Sequence, residues 1–131
     1  MTVARRYEEL EVWQLANDLK IEVYALVATE RAARDFRFCQ QIRDSAASTT
    51  KNICEGFGRF QPGDFAHFME IAVASAMETK DSLKDGVDRG YFTPDRVSNA
   101  QALVERTIKS SIRFIAYLKS CAQKKRRSSR T

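Results

Sequence analysis

His67 is the one histidine in this chain, and Cys39, Cys54 and Cys121 are its three cysteines. No Cys-x-x-Cys pair exists, so neither a zinc knuckle nor a dithiol redox site can be assembled from them. Asp64-x-x-His67 has the spacing of the carboxylate-x-x-His unit of di-iron bundles. That site needs a second histidine from another helix, so a satisfied or solvent-facing histidine is expected. No Ser or Cys stands in a local activation motif. Gly56-x-Gly58 follows a helical segment rather than a strand, so it is no dinucleotide fingerprint. These residues point to a non-enzymatic protein with no cofactor, no metal and no small-molecule substrate.

The charged residues offer more. Glu78, Asp81, Asp85 and Asp88 are spaced by three, four and three, an acidic ridge along one helix. Carboxylates stacked up a ridge do not converge on a cation, so a solvated face, or one meeting a basic neighbour, is expected. Arg106, Lys109 and Arg113 form a basic ridge that leads towards Lys124, Lys125, Arg126, Arg127 and Arg130. Residues 1–123 hold 17 basic and 17 acidic side chains, so those last five account for the whole net charge of +5. The eight basic residues are the candidate nucleic-acid contacts. Such contacts give affinity without sequence choice, and they weaken steeply with salt. The alternatives are pairing with an acidic helix for the ridge and a solubilising terminus for the tail.

Four helices must position these residues. The first runs from about residue 9 to 29, with Val12, Ala16, Leu19, Val23 and Leu26 as its seam. The second spans about 33 to 55, with Cys39, Ile42, Ala46, Thr49 and Ile53 inward and small residues (Ser45, Ala46, Ala47, Ser48) permitting close approach. Gly56 is expected to cap it in a left-handed conformation. The third starts between Pro62 and Phe65 and ends near Arg89, with Phe65, Phe68, Ala72, Ser75, Thr79, Leu83 and Val87 inward and Gly90 as its cap. The fourth has the clearest start: Thr93 as N-cap, Pro94 at the first helical position, and Phe92 stapled to Val97. Its inward seam is read as Val97, Val104, Ile108, Ile112, Ile115 and Leu118.

Short connections predict an all-α, antiparallel up-down-up-down four-helix bundle over residues 9–121. An arm of residues 1–8 precedes it, and a basic, disordered tail of residues 122–131 follows. The net charges of residues 1–30, 31–62, 63–90 and 91–123 alternate as −3, +3, −3 and +3. In a square bundle every edge then joins opposite signs, which disfavours wrong arrangements. The apolar arcs of the first and fourth helices span roughly 180° and 220°, wider than one core face needs. Trp13, Tyr24, Phe114 and Tyr117 are therefore candidates for an interface with further copies of the chain. No apolar run approaches the roughly 18 residues of a membrane span. Met1 to Arg6 lacks an apolar core of signal-peptide type behind it, so a cytoplasmic protein with free thiols is expected.

Three stretches carry a resemblance. Tyr7-Glu8-Glu9-Leu10-Glu11-Val12-Trp13-Gln14-Leu15-Ala16, Gln41-Ile42-Arg43 and Asn52-Ile53-Cys54-Glu55-Gly56-Phe57-Gly58-Arg59 resemble the bacterial 23S rRNA intervening-sequence family. Phe65-Ala66-His67-Phe68, Ala72, Ser75, Glu78 and Gly90-Tyr91 fall where that family has matching residues. The resemblance covers residues 7–120. It departs at Ser48-Thr49-Thr50-Lys51, where the family usually reads Ser-Ile-Pro-Ala, so the second helix should be less kinked here. The resemblance implies a four-helix bundle assembled as a homopentamer, without enzymatic activity. It also implies a kinship with the accessory protein of diversity-generating retroelements, which binds a reverse transcriptase and nucleic acid. Arg43, Asn52, Glu55, Gly56, Arg59 and Glu78 carry the family motif and are read as structural, with Arg59 pairing to Glu55 or Glu78. The function expected is a homo-oligomer that binds RNA or a nucleic-acid–protein complex. The alternative is a scaffold module docking a protein partner through its apolar and aromatic surface.

Overall fold

The computed structural model describes residues 4–129. Among them there are five α-helices and no strand: α1 (Glu11–Val27), α2 (Glu30–Ala33), α3 (Phe36–Phe57), α4 (Pro62–Asp88) and α5 (Pro94–Ser129). A single 3₁₀ turn, Tyr7–Glu9, lies in the expected arm. The short α2 turns the chain between α1 and α3. Asp35 then caps α3 by accepting from the Phe38 amide at 3.1 Å.

The four long helices pack as a closed ring of neighbours, α1 on α3, α3 on α4, α4 on α5 and α5 back on α1. Paired cross-links show that α3 and α4 run in opposite senses, as do α4 and α5. Ser45 bonds Thr79 at 2.7 Å and Ser48 bonds Ser75 at 2.9 Å between α3 and α4. Lys80–Glu105 (2.6 Å) and Lys119–Glu70 (3.0 Å) tie α4 to α5, and Arg96–Glu22 (3.0 Å) ties α5 to α1. Glu70–Lys119 and Glu22–Arg96 join edges in the sense of the charge alternation, while Lys80–Glu105 runs against it. Each exposed pair contributes about 0–1 kcal/mol, so register here is set mainly by burial.

The core has two parts. Leu19, Val23, Leu26, Ile42, Ala76, Leu83, Val97 and Val104 fill one half, and Val12, Ala16, Ile53, Met69, Ala72 and Leu118 fill the other. The seams of α1 and α3 are buried as the sequence indicates. α4 differs: Met69, Ala76 and Gly86 are buried, while Phe65, Phe68 and Val87 are only half-buried. In α5, Ser111 is buried and Ile112 is 55% exposed, because three successive steps of four from residue 100 carry a side chain off the core face.

Two further expectations are corrected. Gly56 is not a left-handed cap: it lies buried inside α3, where a Cβ would come within 2.6 Å of the Phe65 ring and 2.9 Å of Phe68. The left-handed residue of that turn is Phe60, with φ of 59°. Residues 122–129 are not a disordered tail but the last two turns of α5. The end of α4 behaves as expected. Gly90 has φ of +78°, and the Tyr91 amide donates to the Gly86 carbonyl while the Gly90 amide donates to Val87, the two bonds of a Schellman cap. Thr93 Oγ1 accepts from the Arg96 amide at 3.1 Å, and Phe92 and Val97 are both buried.

Candidate nucleic-acid interface

The 36 residues of α5 make a rod of about 54 Å, against about 25 Å for the 17 of α1. Because the helix continues through the basic tail, ridge and tail become one surface. At 100° per residue, Arg106, Lys109, Arg113, Lys124 and Arg127 fall within roughly 60° of arc, opposite Val97, Val104 and Ile108. All five are exposed. They form a stripe about 30 Å long on the outer face of the bundle. Tyr117 borders it at 48% exposure, its hydroxyl pushed up by a hydrogen bond with Cys121.

Lys125 and Arg126 turn the other way. Lys125 Nζ donates to Gln61 Oε1 at the start of α4. Both side chains line an open recess of about 440 Å³ with Pro62, Gly63 and Ala122. The tail is thus divided between an outward pair on the stripe and an inward pair, of which Lys125 fastens α5 to the start of α4. Arg130 lies outside the described residues. Helical continuation was legible: Gln123 to Arg127 contains only strong helix formers, and basic residues in a last turn complement the helix dipole.

The remaining candidates separate. Glu55 accepts from Arg59 Nη2 at 3.0 Å, and that guanidinium also lies 4.9 Å from the Phe68 ring centroid, bracing the α3–α4 turn. Asn52 donates to the Ser48 carbonyl at 2.8 Å and to Ser48 Oγ at 3.1 Å, which continues through Ser48–Ser75 into α4. Arg43 and Glu78 are exposed on α3 and α4. Trp13 and Phe114 are half-buried against the half of the core that holds Val12 and Leu118, Trp13 edge-on to Tyr7 and Phe114 edge-on to Phe65. They serve the protomer's own packing. Tyr24 and Tyr117 stay on the outside at 41% and 48% exposure, so the four aromatics do not form one patch.

The acidic ridge holds no metal-ligating cluster among the described residues, and Asp85 instead accepts from Arg89 at 2.8 Å. His67 is exposed beside Phe68. The three thiols are free; burial pushes the Cys39 thiol up, and it donates to the Ala32 carbonyl at 3.0 Å. No helix of the described residues is long and apolar enough to cross a membrane.

A group sequence reading did not single out closes the opposite end of the bundle. Asp35 accepts from the Tyr91 hydroxyl and from Arg89 Nη1 at 3.2 Å, besides its cap bond to Phe38. These partners, the Tyr91 hydroxyl foremost, hold its carboxyl below the ordinary value of 3.8. Arg89 lies 5.8 Å from the Phe38 ring centroid. Asp-x-x-Phe at a helix start was the available signal, but its partners are more than fifty residues away.

The profile of the 23S rRNA-intervening sequence proteins matches residues 8–113. The fold is similar to the crystal structure of a protein of unknown function from the S23 ribosomal protein family of Bacteroides thetaiotaomicron VPI-5482. The TM-score is 0.73 and the identity 22%, over 80% of this chain and 95% of that one. None of the curated proteins compared matches the chain.

Proposed function

Since the chain belongs to the 23S rRNA-intervening sequence protein family, we propose that it is a non-enzymatic, cytoplasmic homo-oligomer that binds RNA, or an RNA–protein complex, through the outer face of α5. The observation that carries this reading is the exposed stripe of Arg106, Lys109, Arg113, Lys124 and Arg127 on one continuous helix. A straight rod of cations about 30 Å long can follow a phosphate backbone without deforming it. Assembly multiplies the effect, because each further copy adds another stripe to the same particle and weak contacts act together. A homopentamer is the assembly the family resemblance favours.

The test is RNA binding as a function of salt. Replacing Arg106, Lys109 and Arg113 by Gln should reduce the slope of log K against log salt by about two to three. The outward pair Lys124→Gln/Arg127→Gln should lower the slope further, and the inward pair Lys125→Gln/Arg126→Gln should lower it less. Unchanged slopes in the triple variant sink the proposal. A second reading, a module that docks a protein partner, is favoured by Ile21, Met77 and Ile112, which are 57%, 50% and 55% exposed. A monomer in light scattering that binds no RNA would support it instead.

A further inference from the structure

At the end of the bundle remote from the stripe's tail, an open pocket of about 570 Å³ lies where α2 meets α3 and α4 turns into α5. Arg31, Arg34 and Arg89 line it, with Phe36 on its wall. Phe36 is 81% exposed, the first residue of α3, and so contributes almost nothing to the core. Among the described residues, the one acid lining the pocket is Asp35, already bonded to Tyr91, Arg89 and the Phe38 amide. Arg89 is likewise committed to Asp35 and Asp85. Arg31 extends along the rim, its Nη1 3.5 Å from the Gly90 carbonyl oxygen. Residues 31–43 carry four arginines, Arg37 and Arg43 among them, against one aspartate, Asp35. A ring presented to solvent beside guanidinium groups, over a scaffold that has consumed its own carboxylate, is suited to a flat π-system carrying a nearby negative charge.

We propose that this pocket holds an unpaired nucleotide of a single-stranded RNA, its base stacked on Phe36 and its phosphate near Arg31. The inference rests on the RNA-binding reading above and narrows the substrate to RNA with a single-stranded end or loop. Bases in a duplex are stacked on one another and cannot reach the ring, whereas a single strand offers a free face to an aromatic side chain. The α5 stripe reads only phosphates, so the two surfaces have separable signatures.

The experiment uses a labelled mixed-sequence 12-nucleotide RNA, alone and annealed to its complement, with the full chain. Phe36→Ala should weaken single-strand binding about tenfold and leave duplex binding and the salt slope unchanged. Phe36→Trp should bind at least as well as wild type, and Phe36→Leu should behave like the Ala variant. Arg31→Gln should reduce the single-strand salt slope by about 0.7. Equal losses on both RNAs, full rescue by Leu, or an altered particle mass of Phe36→Ala in light scattering would overturn the inference, the last by assigning the ring to a subunit contact. If wild type binds RNA and Phe36→Ala binds it equally well, this inference alone fails. If wild type binds neither RNA, the reading of α5 fails with it.

Discussion

Asp35 ties three elements at one carboxylate, and that gives it a pH signature. Its folded pKa lies below the ordinary 3.8, so its contribution is fully present above that value. It is lost as pH falls through the lower, folded value. Asn keeps the capping oxygen but not the charge. Asp35→Asn should therefore melt below wild type at pH 7, and the gap should narrow as melts by circular dichroism are repeated at successively more acid pH below 3.8. Phe60 is the opposite case, a residue whose backbone opposes its side chain. A left-handed φ of 59° costs a non-glycine residue roughly 1 kcal/mol, and an 81% exposed ring recovers little of it by burial. Phe60→Asn, which tolerates that conformation, should stabilise the fold by up to about 1 kcal/mol, read from urea titration.

Between elements, distance of approach decides which glycines matter. A Cβ on Gly86 would sit 2.5 Å from the Phe92 ring and 3.0 Å from Phe38. Gly86→Ala should destabilise by roughly 1–3 kcal/mol through overpacking. Gly58 has φ of −71° and only ordinary contacts at 3.5 Å. Gly58→Ala should be neutral or stabilise by about 0.4–1 kcal/mol, chiefly by restricting the unfolded chain. Both are read from denaturant midpoints. The same distinction marks how far sequence reading reaches. Thr93-Pro94 and Phe92–Val97 announce the start of α5 because capping is local, and the α1 and α3 seams are visible because one periodic face is buried. Gly56 and Gly86 look like ordinary helix glycines or caps, since the rings that need their space arrive from elsewhere in the chain. A step of four rotates by about 40° each time, which takes Ile112 off the buried face that Val104 and Ile108 share. The two faces of the tail follow from the 100° step once α5 continues through it, and the bond of Lys125 to Gln61 at the base of α4 shows which face meets the bundle.

For the whole molecule, the question is what the outer surface is for. Trp13 and Phe114 are used within the protomer, so the width of the apolar arcs is partly explained by a broader core. Tyr24 and Tyr117 stay exposed, and they are the two of the four rings through which the proposed assembly would be made. Tyr24→Ser combined with Tyr117→Ser should reduce the particle mass in multi-angle light scattering while helical content stays unchanged. An unchanged mass would remove these rings from the assembly surface. The two proposed RNA contacts also lie at different places on the particle, one along a helix flank and one at an end. A bound strand would thus be held by its backbone over one stretch and by a base at another.

The unequal lengths of α1 and α5 leave the last turns of the longer helix with a neighbour on only one side. Those turns gather four like charges within four consecutive residues, Lys124 to Arg127, so repulsion among them works against the coil that holds them together. A polyanion laid along them cancels that repulsion. Order there becomes a reporter of occupancy: amide exchange in the final two turns should slow on adding RNA, while the rest of the helix keeps its pace.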